Sequence, residues 1–289
     1  MPNEQKKPSE SRRFSRRHFI AAAIAVPVLT TLYTWRVEPH WLEFVYRDLP
    51  IANLPPLLVG RRLVQLSDLH VGPQVDDDYL IETFRRVEAL QPDIVVHTGD
   101  LISYRSGHTI DQARRVLAHC PCGRLGSAAI LGNHDYGRNW ADPGIASSIE
   151  QLFTAAGTTV LRNARTTIAG LHLIGLDDLW AGRFSLGPAF QSFDFNQPAL
   201  VLSHNPDTCD LPGWLHYNGW ILAGHTHGGQ CKPPFLPPPL LPVRNKRYTS
   251  GEFSLTGGRR LYISRGVGHL LRVRFNVRPE IPVFRLVPA

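Results

Sequence analysis

The sequence predicts an α/β protein, on three observations. Short apolar runs recur along the chain, and segments with apolar residues at helical spacing alternate with them. Turn residues punctuate the two patterns. The chain has 289 residues, 43% of them hydrophobic, enough to bury one large core or two small ones.

In order, residues 63–66 form a short strand. Residues 76–90 form a helix: Asp76, Asp77 and Asp78 suit its positive N-terminal end, and Ile81, Phe84, Val87 and Leu90 recur near helical spacing. Residues 94–96, after Pro92, form a buried strand. Residues 110–119 are helical, with Ile110, Ala113, Val116 and Leu117 on one face. Residues 128–131 are a strand. Residues 145–156 are a helix closed by Gly157 at the C-cap. Further strands are expected at 171–176, 199–202, 220–223 and 261–264. The alternation "LRVRFNV" at 271–277 predicts a half-exposed strand. Residues 232–248 are proline-rich and read as a long loop. No internal repeat is visible.

The formal net charge is +7. The first 17 residues carry Lys6, Lys7, Arg12, Arg13, Arg16 and Arg17 against Glu4 and Glu10, a balance of +4. The remaining +3 gives no support for a nucleic-acid partner. The basic tail leads into "SRRHFIAAAIAVPVLTTLYTW". A paired arginine before a moderately apolar stretch resembles the twin-arginine export signal. No Asp, Glu, Lys or Arg lies between Arg17 and Arg36, a gap of 18 residues that reaches the lower range of a membrane span. Small-x-small cleavage positions occur only inside the apolar run, as at Ala23-Ile24-Ala25, which favours an uncleaved anchor over release. The positive flank holds the N-terminus in the cytoplasm and leaves the main domain outside it. The chain therefore divides into a signal or anchor (1–35), a proline-containing connector (36–60) and one domain (61–289). Of the four cysteines, Cys209 and Cys231 each come after a histidine-bearing loop, which leaves a disulfide open. Unpaired thiols are the simpler expectation.

The polar residues at the end of each apolar run carry the chemistry. Residues 63–66 lead to Asp68 and His70, 94–96 to Asp100, and 128–131 to Asn133, His134 and Asp135. Ala199–Leu202 leads to His204, and Trp220–Ala223 to His225 and His227. Each tip alone is a weak signal. Five in one chain, each at a strand end where α/β sheets assemble their sites, point to a metal-binding site.

The ordered set "DLH … GD … GNHD … H … GHTH" resembles the calcineurin-like metallophosphoesterase superfamily over about residues 61–289. "GHTHGGQ", "SRGVG" and "RPEI" resemble its exported bacterial phosphodiesterase branch, whereas Asp135 departs from the protein phosphatases. The resemblance implies a four-layer αββα sandwich of two mixed sheets flanked by helices. It implies two divalent metal ions, and mixed nitrogen and oxygen ligands suit Mn, Fe or Zn. By the same resemblance Asp100 is expected to bridge the ions, with Asp68, His70 and His227 completing one, and Asn133, His204 and His225 the other. The resemblance further implies that His134 protonates the leaving oxygen or stabilises the charge there, that Asp135 would hold the His134 imidazole, and that a metal-bound hydroxide would attack.

The expected activity is hydrolysis of a phosphodiester, soluble or lipid-linked, on the outer face of the inner membrane, with the twin-arginine machinery as export partner. A pyrophosphatase acting on nucleotide-linked lipid precursors of the UDP-diacylglucosamine type is the nearest alternative. A non-catalytic metal-bound module is a third, disfavoured because it would have no use for His134. The loop at 231–248 sets Phe235, Leu236, Leu240 and Leu241 beside Arg244, Lys246 and Arg247, a mixture that suits a lipid headgroup boundary.

Overall fold

A computed structural model describes residues 16–289, apart from the side chain of Ala22. Lys6, Lys7, Arg12 and Arg13 of the basic tail lie outside the described residues. The helix α1 (Arg16–Leu32) contains the arginine pair and passes into a π-helical turn, Tyr33–Val37. The helical stretch Arg16–His40 is long and apolar enough to cross a membrane, with a mean hydropathy of 1.4 in its most apolar window and none of that window buried.

Beyond it lie two six-stranded mixed sheets. The first runs β1 (Glu43–Ile51), β12 (Glu280–Pro288), β2 (Arg62–Leu66), β3 (Ile94–Thr98), β4 (Gly126–Ile130) and β5 (Thr159–Val160). The second runs β10 (Gly251–Ser254), β11 (Arg260–Ile263), β9 (Trp220–Ala223), β8 (Ala199–Leu202), β7 (Leu171–Gly175) and β6 (Ala164–Ile168). β2 to β5 are parallel, as are β7, β8, β9 and β11. The sheets pack face to face through Leu63, Val96, Ile130, Leu173, Leu200 and Leu222. Gln65 crosses between them, its Nε2 donating to Thr98 Oγ1 on β3 and to the Ala223 carbonyl on β9.

Three amphipathic helices cover the outer face of the first sheet: α2 (Asp77–Glu88), α3 (Gly107–Leu117) and α4 (Pro143–Ala155). Each buries residues three and four apart, such as Leu80, Phe84 and Val87 on α2. Phe84 is wholly buried, so its truncation to Ala costs about 3–5 kcal/mol. α4 starts where Asp142 accepts the Gly144 and Ile145 N–H groups. It stops at Gly157, whose φ of +76° lets Thr158 N–H reach the Phe153 carbonyl. Over the second sheet the outer layer is thinner. It is the five-residue α5 (Leu186–Phe190) and loops carrying Phe193, Trp214 and Tyr217.

Two sequence expectations differ from the structure. Residues 36–60 are more than a connector, because β1 pairs along its whole length with β12. Pro50 is compatible with that strand because β1 lies at the sheet edge. Residues 271–277 are not a strand. Gln230 Nε2 donates to the Leu271 and Val273 carbonyls, and Arg274 N–H goes to the Thr34 carbonyl. The residue turned inward by the alternation is a charged one, Arg274, wholly buried. All four cysteines are free.

Candidate metal centre

The C-terminal ends of β2, β3, β4, β8 and β9 converge at one edge of the two sheets. Each strand ends in a sharp turn, and the turn residue is often the polar one. Asp68, His70, Asp100, His225 and His227 have φ between +50° and +71°, the left-handed region that non-glycine residues seldom adopt. Such strain persists where the surroundings impose it, and it gathers at functional sites. Here it turns five side chains toward a common centre.

Asp68, His70 and His227 form one buried triad of potential ligands, and Asp100, His204 and His225 form a second. Asp100 stands between them, its Oδ2 3.1 Å from His204 Nε2 and 3.7 Å from His70 Nε2. Asp68 Oδ1 lies 3.3 Å from His227 Nε2. Backbone amides orient both carboxylates: His225 N–H donates to Asp68 Oδ1, and His134 N–H to Asp100 Oδ1. Close packing of turns demands glycine here. A Cβ on Gly224 would collide with Asp68 Oδ2, and one on Gly132 with Asp100 Oδ1.

The tautomers are set by the outer partners. A carbonyl only accepts, so His204 donates from Nδ1 to Thr98 O, and His225 from Nε2 to Pro242 O. The other nitrogen of each ring, His204 Nε2 and His225 Nδ1, is thereby turned inward, 3.2 Å apart. His70 Nε2 and His227 Nε2 likewise face each other at 2.9 Å, while Ser103 Oγ holds His70 Nδ1.

Electrostatics agree. Burial pushes His70 and His225 down to about 3, so both rings are neutral donors of a lone pair. Burial pushes Asp68 up to about 6. Burial also opposes charge on Asp100, yet His204 and His134 hold it well below the usual carboxylate range. His204 is the reciprocal case: burial opposes its charge, and Asp100 pushes it up to about 10.

These residues fit a pair of divalent cations. Two carboxylates and four imidazoles, all buried, bring their potential ligand atoms to short range of one another. Asn133 is wholly buried with neither amide oxygen nor nitrogen hydrogen-bonded, an expensive arrangement in the absence of a ligand.

Asp135 is placed differently from expectation. Its oxygens accept the Gly132 and Ile102 N–H groups instead of the His134 ring, and burial pushes it up to about 8. It shapes the turn carrying Asn133 and His134 and does not hold the imidazole. The reason is local: at this 3₁₀ turn the side chain three residues on points back to cap Gly132. The ring of His134 is half-buried and meets that of His70 edge-on at 5.1 Å.

Two further residues, Arg274 and Trp180, have no signal in the sequence, and a third, Asp178, follows an apolar run as the ligand-bearing tips do but carries no motif. Arg274 reaches the Arg265, Gly266, Gly268 and Val277 carbonyls and comes within 3.5 Å of His227 Nδ1. Asp178 is buried beside the centre with Oδ2 unpaired, and burial pushes it up to about 6. Trp180 meets the His225 ring edge-on at 4.4 Å. His97 is a core side chain, buried and packed on Phe153.

Comparison with known proteins agrees with this geometry. The chain is 31% identical over 293 residues to the uncharacterized metallophosphoesterase YkuE of Bacillus subtilis, covering 95% of this chain and 98% of that protein. It is 32% identical over 286 residues to phosphodiesterase YaeI of Escherichia coli, covering 94% and 99%. It is 28% identical over 320 residues to the UDP-2,3-diacylglucosamine pyrophosphatase LpxG of Chlamydia muridarum, covering 92% and 95%. The model of the calcineurin-like phosphoesterase domain matches residues 61–229, which contain both triads, Asn133 and His134. Two divalent metals are the cofactors of that family, and the two clusters here could each hold one. With more than half of the chain matched by the domain and two relatives above 30% identity along nearly its full length, the protein belongs to the calcineurin-like phosphoesterases and is a metallophosphoesterase.

Proposed function

We propose that the protein hydrolyses phosphodiesters with two divalent cations, beside a membrane and outside the cytoplasm. The observation that carries the reading is Asp100, placed between two buried triads. Asp68, His70 and His227 would hold one cation, Asn133, His204 and His225 the other, and Asp100 both. The donor set suits Mn, Fe or Zn. Bound there, the cations supply Lewis acidity and lower the pKa of a water at the centre. The chain supplies the rest. His225 N–H and His134 N–H keep Asp68 and Asp100 aimed inward. His134 holds a proton at its ring for the departing ester oxygen. Asp135 fixes the turn that presents it. The test is a panel of esters on purified, metal-loaded protein: a diester such as bis(4-nitrophenyl) phosphate should turn over faster than 4-nitrophenyl phosphate. The opposite order would remove the diesterase reading.

The role of His134 gives a separable expectation. His134→Ala should keep a near wild-type metal content and lose turnover by about 10²–10⁴-fold. A metal-free variant would contradict the assignment.

The membrane reading rests on α1 and its attachment. Its end is tied to the domain through Thr34 O and the buried Glu38, which accepts Val277 N–H. The loop after the centre leaves Phe235, Leu236 and Leu240 exposed, while Leu241 packs inward and Lys246 caps its own loop at the Leu241 and Val243 carbonyls. The apolar tip, more than the lysine, is what a bilayer boundary would meet. Export through the twin-arginine machinery predicts that Arg16→Lys combined with Arg17→Lys keeps the protein in the cytoplasm, because that signal is read by a receptor. Cell fractionation showing normal accumulation outside the cytoplasm would refute it.

A second reading draws on the similarity to LpxG: cleavage of the diphosphate in a nucleotide-linked lipid precursor. Hydrolysis of UDP-diacylglucosamine in preference to any diester, with the domain on the cytoplasmic side, would favour it.

A further inference from the structure

Two tryptophans stand over the metal centre. Trp140 lies just after the turn of His134, and Trp180 lies in the loop between β7 and α5. Their rings stack with centroids 5.0 Å apart at 30°. Trp180 meets His225 edge-on, and Trp140 lies 6.0 Å from His134. The pair thus spans from a member of one triad to the candidate proton donor.

The chain works to keep Trp140 there. Asn139 and Trp140 have φ of +76° and +56°, two successive non-glycine residues in the left-handed region. Hydrogen bonds from Trp140 N–H to Gly137 O and from Asp142 N–H to Tyr136 O close the turn. The loop of Trp180 is pinned as firmly. Asp178 accepts the Ala181 N–H through its side chain and the Arg183 and Phe184 N–H groups through its carbonyl. The Tyr136 hydroxyl donates to Asp177, which also carries Arg162, so one residue beside the His134 turn ties both loops together. Despite this support Trp180 stays 37% exposed, as a core ring would not.

A cleft opens on each side of the pair. One, of about 200 Å³, is lined by His134, Trp140, Arg105, Arg138 and Leu270. The other, of about 370 Å³, is lined by Leu179, Trp180 and Arg244 among others. A monoester has one organic arm, and a diester has two. A phosphate at the centre, esterified on both sides, can place its leaving arm beside His134 and its retained arm beside Trp180.

We propose that Trp140 and Trp180 form a stacking platform that selects phosphodiesters bearing a flat ring on an arm, with the leaving arm received between Arg105 and Arg138. This deepens the diesterase reading and rests on it. Aromatic faces bind such rings without regard to their hydrogen-bonding pattern, so the platform sets substrate class more than identity.

The test uses the full-length metal-loaded protein and its Trp180→Ala, Trp180→Phe and Trp140→Ala variants, with rates normalised to bound metal. The ratio of kcat/KM for bis(4-nitrophenyl) phosphate over methyl 4-nitrophenyl phosphate, a diester with the same leaving arm and no ring on the retained arm, should fall by about 5- to 100-fold in the Ala variants, mainly through KM. Trp180→Phe should recover most of that loss. Equilibrium binding of diphenyl phosphate, followed by quenching of tryptophan fluorescence in the wild type and by calorimetry in the variants, should weaken by the same factor. An unchanged ratio with unchanged diphenyl phosphate binding would overturn the platform and leave the diesterase reading standing. A wild type that prefers the monoester would remove both.

Discussion

Asp100→Asn lowers turnover by at least about 10³-fold and depletes both metal positions together. Asp100 is the carboxylate lying between the two triads, with Oδ2 3.1 Å from His204 and 3.7 Å from His70. An amide of the same shape keeps the acceptor that meets His134 N–H but loses the full negative charge that Asp100 would offer to both cations. Several kcal/mol of transition-state stabilisation is what such cations contribute, and about 4 kcal/mol corresponds to that factor. The joint depletion is the discriminating part. A ligand belonging to a single triad, such as His225, should on substitution empty one position before the other. Metal analysis and turnover measured on the same preparations check both. Selective loss of one ion from Asp100→Asn would remove the bridging role.

Arg274→Leu destabilises the fold by about 3–5 kcal/mol, because each buried carbonyl left unpaired costs about 1–3 kcal/mol. The guanidinium is completely buried, and burial pushes it down to about 10. Its donors reach the carbonyls of Arg265, Gly266, Gly268 and Val277, and leucine would leave those of Arg265, Gly268 and Val277 without partners, while Gly266 O keeps the Glu280 N–H. Gly266 and Gly268 pack directly on Asp68 and Leu69, so the disturbance reaches the turn that carries the first ligands. For a domain of this size the melting temperature should fall by about 6–20 °C. Arg274→Lys should recover little, since a point ammonium cannot reach four acceptors arranged for a planar fork. A melting temperature within 2 °C of wild type (about 1 kcal/mol or less) for Arg274→Leu would mean that the network is dispensable.

The centre is largely legible in the sequence because of how parallel sheets build sites. An apolar run long enough to be a strand, ending in Asp, Asn or His, announces a side chain at the C-terminal edge, and five of them share one edge. Direction is less legible than position. Asp135 is adjacent to His134 in the chain, but adjacency does not say where a carboxylate points, and here it turns back to the Gly132 amide. Edge strands are harder still. β1 reads as a connector because prolines are tolerated at a sheet edge, and its partner β12 lies more than 200 residues away. Arg274 is hidden by the same alternation that suggests a strand. In "LRVRFNV" nothing distinguishes the arginine that is buried from Arg272, which pairs with Asp76 at the surface. Trp140 and Trp180 carry no motif, and an isolated indole does not declare its role until its neighbours in the fold are known.

Metal stoichiometry of the purified wild-type protein is the most direct test of the central claim. Elemental analysis after reconstitution with Mn, Fe or Zn should find two divalent ions per chain, falling toward zero in Asp100→Asn. One ion per chain, or two ions that survive Asp100→Asn, would contradict a dinuclear centre built around this carboxylate.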